Sequence, residues 1–497
     1  VIREVKVDVA IRNVSNRVEK SGSIRRNPVA SLAAEPGQVL PGTFIPSWCF
    51  APRSKAAKEC NTQDAKYNMK VLVLGATGLI GSAVCARLAA DGHRIVAAAR
   101  STSGPRPLSP EEFVAVDMAR LVTPQMWQPL LEGIEIVVNC AGTLQDGPRE
   151  NVRGVHAQGP AALFLACERA GVRRVIHFSA MGVERMQPSD FSRTKLEGEQ
   201  SLMASELDWV ILRPSVVLGD GAFGASALFR ALAVFPWLPV MPSTGNLQVV
   251  QLDDVVATVA YFASPEAPGR VTLDLAGPQE LSFNGVVASY RKWFGWPPAR
   301  PVKLSPFVSR ILYWLGDAAG QLGWRPPMRT TAAKEIVRGA TGDPGEWMER
   351  TGIRPLSLEM ALSSRPVTVQ ERWFAKLYFL KALTFIVLPL FWIATGVISV
   401  TVGYQIGIDL MHRGGAGVLA APAVIAGALA DIAVGVCIAY RPLSRWGLYG
   451  AIFLCLFYAL AGTIILPELW NEPLGPLLKI WPILVLHLIA LAILKER

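Results

Sequence analysis

Lys70-Val-Leu-Val-Leu-Gly75-Ala-Thr-Gly78-Leu-Ile-Gly81 is the stretch that decides the fold. An apolar strand runs straight into glycines at 75, 78 and 81. The first glycine permits a tight turn after the strand, and the second lets backbone amides approach a pyrophosphate. The third lets the following helix, expected over residues 82–90, pack closely on the sheet. The N-terminus of that helix then faces the negative charge. A second apolar strand, residues 93–99, follows the helix, so the glycines sit inside a β-α-β unit and read as a phosphate cradle.

Working outward, short Val- and Ile-rich segments alternate with helical ones, which predicts an α/β domain built on a doubly wound parallel Rossmann sheet. Strands are expected at 70–74, 94–99, 113–116, 134–139, 173–178 and 208–213. The second ends in Arg100, Ser101 and Thr102, where an NAD-preferring site would place an acid for the ribose 2′-hydroxyl. A guanidinium and two hydroxyls suit a 2′-phosphate, so the sequence favours NADP(H) over NAD(H).

Gly75-x-x-Gly78-x-x-Gly81, Asp117, Asn139-Cys-Ala-Gly142 and Arg213-Pro214 together resemble an extended short-chain dehydrogenase/reductase. Phe191-Ser-Arg-Thr-Lys195-Leu-Glu-Gly-Glu199 and Leu252-Asp-Asp254 are similar to its atypical branch, which includes the nucleotide-binding accessory subunit of respiratory complex I. The resemblance covers about residues 69–365. It implies that Gly75, Thr77, Gly78, Leu79, Ile80, Gly81, Arg100, Asp117, Ala141 and Lys195 border the dinucleotide. It also implies a catalytic pair, Ser179 and Lys195, with a tyrosine four residues before the lysine. That position is Phe191, which carries no proton. General acid/base catalysis contributes typically about 10²- to 10⁴-fold, so ordinary dehydrogenase chemistry is expected to be strongly impaired.

Residues 214–245 and 281–365 are expected to form a smaller lobe over the cofactor. Phe223, Phe229, Phe235, Trp237 and Leu238 make it apolar, either as a core or as a site for a quinone or isoprenoid. Residues 296–307 and 324–330 read as loops. Seven scattered cysteines without a C-x-x-C pair read as thiols in a reducing compartment, and the five dispersed histidines give no metal-ligand spacing. His156 is expected on a helix surface and His177 on a strand.

The hydrophobic content of 51% is concentrated after residue 381. Four apolar runs, 382–404, 418–440, 446–466 and 477–494, approach the roughly 20 residues needed to cross a hydrocarbon core. Their number and texture are similar to the DoxX-like family. Residues 366–381 read as a basic, aromatic interfacial helix linking to this 382–497 four-helix domain. Arg372, Lys376, Lys381, Arg441, Arg445 and Lys495 fall on one side of the spans. That places the nucleotide domain and the C-terminus in the cytoplasm, on a cytoplasmic (inner) membrane. Asp431 in the second span is costly in hydrocarbon and points either to a membrane site, with His487 in the last span as candidate partner, or to a hydrogen bond with Tyr440, Tyr458 or Thr463 that fixes packing.

The net charge of +10 includes +5 from residues 1–68, which hold 11 Lys and Arg against 6 Asp and Glu. That segment shows no sustained periodicity and reads as disordered or as an overextended reading frame ahead of Met69. No nucleic-acid motif accompanies the charge. Three functions stay open. The first is a membrane-anchored NADP(H)-binding reductase-like protein working on or near a quinone, isoprenoid or lipid. The second is a non-catalytic nucleotide-sensing or assembly subunit with a membrane respiratory partner. The third is an epimerase or dehydratase, whose chemistry needs the missing tyrosine.

Overall fold

The computed structural model describes residues 68–100, 111–148, 150–241 and 243–495. The expectations for residues 1–67, and for Ser101 and Thr102, lie outside the described residues.

Seven parallel strands form the central sheet: β1 (Lys70–Leu74), β2 (Arg94–Ala99), β3 (Glu112–Ala115), β4 (Ile136–Asn139), β5 (Arg174–Phe178), β6 (Asp208–Pro214) and β7 (Val271–Leu275). Their spatial order is β7-β6-β5-β4-β1-β2-β3. The chain reverses its winding direction between β1 and β4, and open α/β sheets bind ligands at such a switch point. Strand alternation explains the two faces. Val71 and Val73 enter one core with α1 (Leu79–Ala90) and α4 (Leu252–Ala263). Leu72 and Leu74 enter the other with α2 (Gly159–Ala170). Helix α3 (Asp190–Met203) carries the Phe191 and Lys195 positions.

The lobe packs Phe229, Leu238, Tyr290 and Phe294 into a third core. The aromatic run is therefore divided, because Phe229 and Leu238 lie inside while Phe235 and Trp237 stand on the surface. Residues expected as a loop instead hold a strand, Arg300–Lys303, paired in parallel with Trp237–Val240. They also hold the start of α5 (Pro306–Gln321), where Pro306 follows the capping hydroxyl of Ser305. Proline is favoured at that first helical position, so its presence marks a helix start rather than a loop.

The stretch expected to join the soluble part to the membrane as an interfacial helix is continuous with the first span. Residues 369–381 are the opening turns of α6 (Val369–Val400), a continuous helix about 48 Å long at 1.5 Å per residue. Its first turns belong to the lobe: Ala375 is buried in the lobe core, Arg230 pairs with Glu371 at 2.9 Å, and Arg372 donates to the Phe294 carbonyl at 2.7 Å. The expected first span ended at 404, yet the helix stops at Val400 and Tyr404 opens a separate helix, Tyr404–Arg413.

Helices α7 (Ala420–Ala439) and α8 (Ser444–Ile465) follow, and with α6 they are, among the described residues, the three helices long and apolar enough to cross a membrane. The fourth, α9 (Ile480–Ile493), has 14 residues and reaches about 21 Å, short of a typical core. Small residues let these helices approach closely. A Cβ on Gly396 would meet the Ala428 carbonyl at 2.5 Å, and one on Gly435 the Pro389 carbonyl at 2.9 Å.

Candidate functional site

The glycine turn has the shape that its sequence implies. Gly75 adopts φ +74°, and a Cβ there would stand 2.9 Å from the backbone of Cys140 and Ala141, so the turn leans against the end of β4. A Cβ on Gly81 would lie 2.3 Å from the Gly75 carbonyl, which fixes the start of α1 against the turn. Gly78 caps α1 without a side chain, leaving first-turn amides for an anion. Thr77, Gly78, Leu79 and Ile80 are half-buried at the mouth of this turn. Ala141 donates its amide to Asn139 Oδ1 at 3.1 Å, holding the opposite wall.

Beside that wall lies Lys195. It is buried, and its Nζ donates to the Phe178 carbonyl at 2.8 Å. Burial pushes its ammonium down to about 8, opposed in part by Glu199. An ammonium has three donors, so others remain for a ligand. Ser179, the next residue after β5, is buried and its Oγ has no hydrogen-bond partner. Such a group is expected to meet a ligand or a water. A Cβ on Gly142 would sit 3.6 Å from both Lys195 Nζ and His156 Nε2, so the Asn139–Gly142 segment and α3 enclose one space.

Phe191 contributes a ring instead of a hydroxyl, packed edge-on against His156 at 5.4 Å between centroids. His156 was expected on a helix surface and is instead interior, in the π-helical turn Gly154–Gln158. Its Nε2 accepts the Thr143 amide at 3.1 Å. Thr194 Oγ1 gives its own proton to the Asp190 carbonyl at 2.7 Å, so His156 Nδ1 at 3.1 Å is the donor to Thr194. Burial, with the Lys195 charge, holds His156 well below the usual imidazole range and keeps it neutral. His177, on β5, is pushed by burial to about 3. Its Nδ1 contacts Asn139 Nδ2 at 3.1 Å, and its Nε2 is unpartnered. Sequence reasoning missed this inner layer, because single histidines far apart carry no spacing signal. Arg213 and Glu199, quoted above only for resemblance, prove to be one pair, with half-buried Arg213 Nε donating to buried Glu199 Oε1 at 2.9 Å.

Past the end of β2, Arg100 Nη2 stands 3.7 Å from Glu150 Oε1, and Arg325 Nη2 approaches the same oxygen at 2.9 Å. Asp117 holds Arg120 at 3.3 Å and accepts the Ala119 amide, so its carboxylate shapes the loop after β3.

The membrane candidates do not meet. Asp431 accepts from Tyr458 Oη at 2.8 Å, a bridge between α7 and α8. His487 accepts from Trp392 Nε1 at 2.8 Å and turns Nδ1 to the Ile483 carbonyl at 2.7 Å, a bridge between α6 and α9. With both its nitrogens engaged, His487 has no face left for Asp431. Among the described residues, no group of three or more His, Cys, Asp or Glu side chains could hold a metal ion.

Residues 75–229 match the NAD(P)H-binding family, and residues 389–488 match the DoxX-like family. The protein thus joins an NAD(P)H-binding Rossmann domain to a DoxX-like membrane domain, its cofactor is a nicotinamide dinucleotide, and a lipid bilayer surrounds its apolar helices. Ceramide reductase of Caulobacter vibrioides is 28% identical over 203 residues, 41% of this chain and 63% of that protein. Sterol demethylase protein B of Methylococcus capsulatus is 29% identical over 213 residues, covering 38% and 64%. Photosystem II assembly factor Ycf39 of Synechocystis is 27% identical over 145 residues, covering 29% and 44%. The chain thus spans less than two thirds of each of these relatives. Among solved structures, MoeE5 in complex with UDP-glucuronic acid and NAD aligns at 23% identity and a TM-score of 0.45, over 60% of this chain and 97% of that one.

Proposed function

We propose that the protein is a membrane-anchored, NADP(H)-dependent reductase whose acceptor is a quinone, or failing that an isoprenoid or other lipid, carried by the bilayer. The observation that carries this reading is the buried Lys195 beside the unpartnered Ser179, in a domain bonded directly to the first membrane helix. In this reading Lys195 holds the nicotinamide ribose and Ser179 hydrogen-bonds the oxygen of the acceptor, while the cofactor, when bound, supplies the hydride. Phe191 then selects the acceptor. An alkoxide formed from an isolated carbonyl is a strong base that needs its proton as it forms, whereas a hydroquinone anion is far weaker and can take its proton from water. Ceramide reductase and sterol demethylase protein B are both named for lipids, which favours the same class here. Arg100, with Arg325 beside it, supports NADP(H) over NAD(H) through a 2′-phosphate. The basic residues flanking the spans on the nucleotide-domain side support a cytoplasmic location for that domain.

A second reading has its own observation. The Phe191 ring packed on His156 fills the acid position with an inert contact, as in a non-catalytic nucleotide sensor or assembly subunit; Ycf39 is named an assembly factor. The epimerase or dehydratase reading ranks last, since nothing in the site replaces the tyrosine. NADPH oxidation by full-length protein in vesicles containing a long-chain quinone separates them. Quinone-dependent turnover is expected; tight NADPH binding without turnover of any quinone or lipid acceptor would leave the sensor reading.

A further inference from the structure

We infer that α5 is an in-plane membrane-surface helix, seating the substrate lobe on the same leaflet from which the spans emerge. Its two faces differ sharply. Ser309, Gly316 and Gly320 form a buried stripe, and a Cβ on Gly316 would lie 1.8 Å from the Met328 carbonyl, so this face is pressed against the following segment. Asp317 secures it, bonded to Arg329 Nε at 3.2 Å. On the other side Phe307, Ile311, Trp314 and Leu315 recur at helical spacing, and Phe307 is 70% and Trp314 65% exposed. Large apolar side chains gathered on one face of a helix mark an interface rather than a solvated surface.

The occupant follows from where the helix ends. Three residues after α5, Trp324 donates Nε1 to the carbonyl of Ala439, the last residue of α7, at 2.7 Å. Its ring packs on Phe385 of α6 at 4.8 Å and lies under the Arg441 guanidinium at 5.4 Å. The Arg441 amide donates to the Leu322 carbonyl at 2.9 Å. The C-terminus of α5 is therefore pinned where the apolar stretch of α7 gives way to Arg441 and Arg445, which is the depth of the headgroups. A 16-residue helix reaches about 24 Å, too short to cross. Continuity with the spans and an apolar outer face together commit it to lie along the bilayer. Arg310, exposed on the same helix, and Lys303, just before it, give this element the positive charge that anionic headgroups attract.

The surface is also wired to the cofactor side. Arg329 reaches the Asp146 carbonyl at 3.2 Å, and Arg325 pairs with Glu150, both in the loop that follows the Asn139–Gly142 wall. Lipid contact at α5 thus bears on the loop bordering the dinucleotide.

The test uses full-length protein carrying Ile311→Cys or Leu315→Cys, nitroxide-labelled and reconstituted in phosphatidylcholine vesicles with and without phosphatidylglycerol. Met126→Cys, on the exposed nucleotide domain, is the water reference, and unsubstituted protein is the labelling blank. No nucleotide or acceptor enters the measurement, so it stands or falls independently of the reductase reading. At both α5 positions, collision with oxygen relative to a water-soluble nickel complex is expected to exceed the Met126 value several-fold, and to increase with phosphatidylglycerol. Collision ratios equal to the Met126 site at both positions would overturn the inference. So would shielding from both reagents accompanied by spin–spin broadening, which would show that a second copy covers the face.

Discussion

Phe191 separates what this site can bind from what it can catalyse. The ring rests edge-on against His156. With the Lys195 pKa lowered to about 8 and Ser179 unpartnered, Phe191→Tyr is expected to raise reduction of simple ketones by about 10²-fold or more, the size of a general-acid contribution. Steady-state NADPH oxidation checks this, and an unchanged rate would mean that Ser179 does not face an acceptor. Lys195 also makes a signed prediction about pH. Its pKa falls from 10.5 to about 8 on folding, so between those values the unfolded chain binds more protons and stability rises with pH. Melting temperature should climb from pH 8 towards pH 10 in the unmodified protein relative to Lys195→Met, and parallel curves would contradict the burial of a charged lysine. At the other end, Arg100→Asp is expected to weaken NADPH far more than NADH, by about 1.5–3 kcal/mol for a charge-assisted contact. Calorimetry with both nucleotides reads it directly.

At the scale of elements, the strands and the glycine turn were legible because both rest on local rules: alternation, and the lack of a Cβ where backbones touch. The six expected strands are found with ends shifted by at most two residues, while β7, whose residues pair with β6 from 61 positions farther along the chain, was not expected. The inner histidines, and the Trp392 partner of His487, were illegible for a related reason, whereas Tyr458 is one of the hydroxyls expected for Asp431. Which helix faces reach each other depends on packing across many residues, so the imidazole at membrane depth was an attractive partner that geometry gives to Trp392 instead. This alters what Asp431 should do. Asp431→Asn can still accept from Tyr458 and is expected to be nearly neutral, whereas Asp431→Leu strands that hydroxyl at a cost of about 0.5–2 kcal/mol. Thermal unfolding of the two variants in one detergent checks the order; equal losses would show that charge, rather than the hydrogen bond, is what the helix pair requires.

For the whole molecule, the continuity of α6 removes the distinction between anchor and nucleotide domain. A flexible interfacial linker would let the nucleotide domain swing freely over the membrane. Instead Glu371 pairs with Arg230, whose side chain is 3% exposed, and Ala375 fills the lobe core, so the lobe is incomplete without the first turns of the membrane helix. Sequence could not show this, since basic and aromatic residues before a span look alike whether they lie on lipid or pack on protein. Removing one partner of a buried ion pair typically costs about 3–5 kcal/mol, because the other charge stays buried. Arg230 keeps bonds to the Gly219 and Ser226 carbonyls, which places Glu371→Ala towards the lower end of that range. A soluble chain of residues 69–365 is therefore expected to aggregate or melt early, and one of residues 69–381 to recover much of the stability by restoring Glu371, Arg372 and Ala375. Glu371→Ala in the longer chain should return it most of the way to the shorter one. Calorimetric melting of the three, each with NADPH bound, decides the matter: indistinguishable transitions would mean that the lobe folds without the helix and that the spans are a separable anchor.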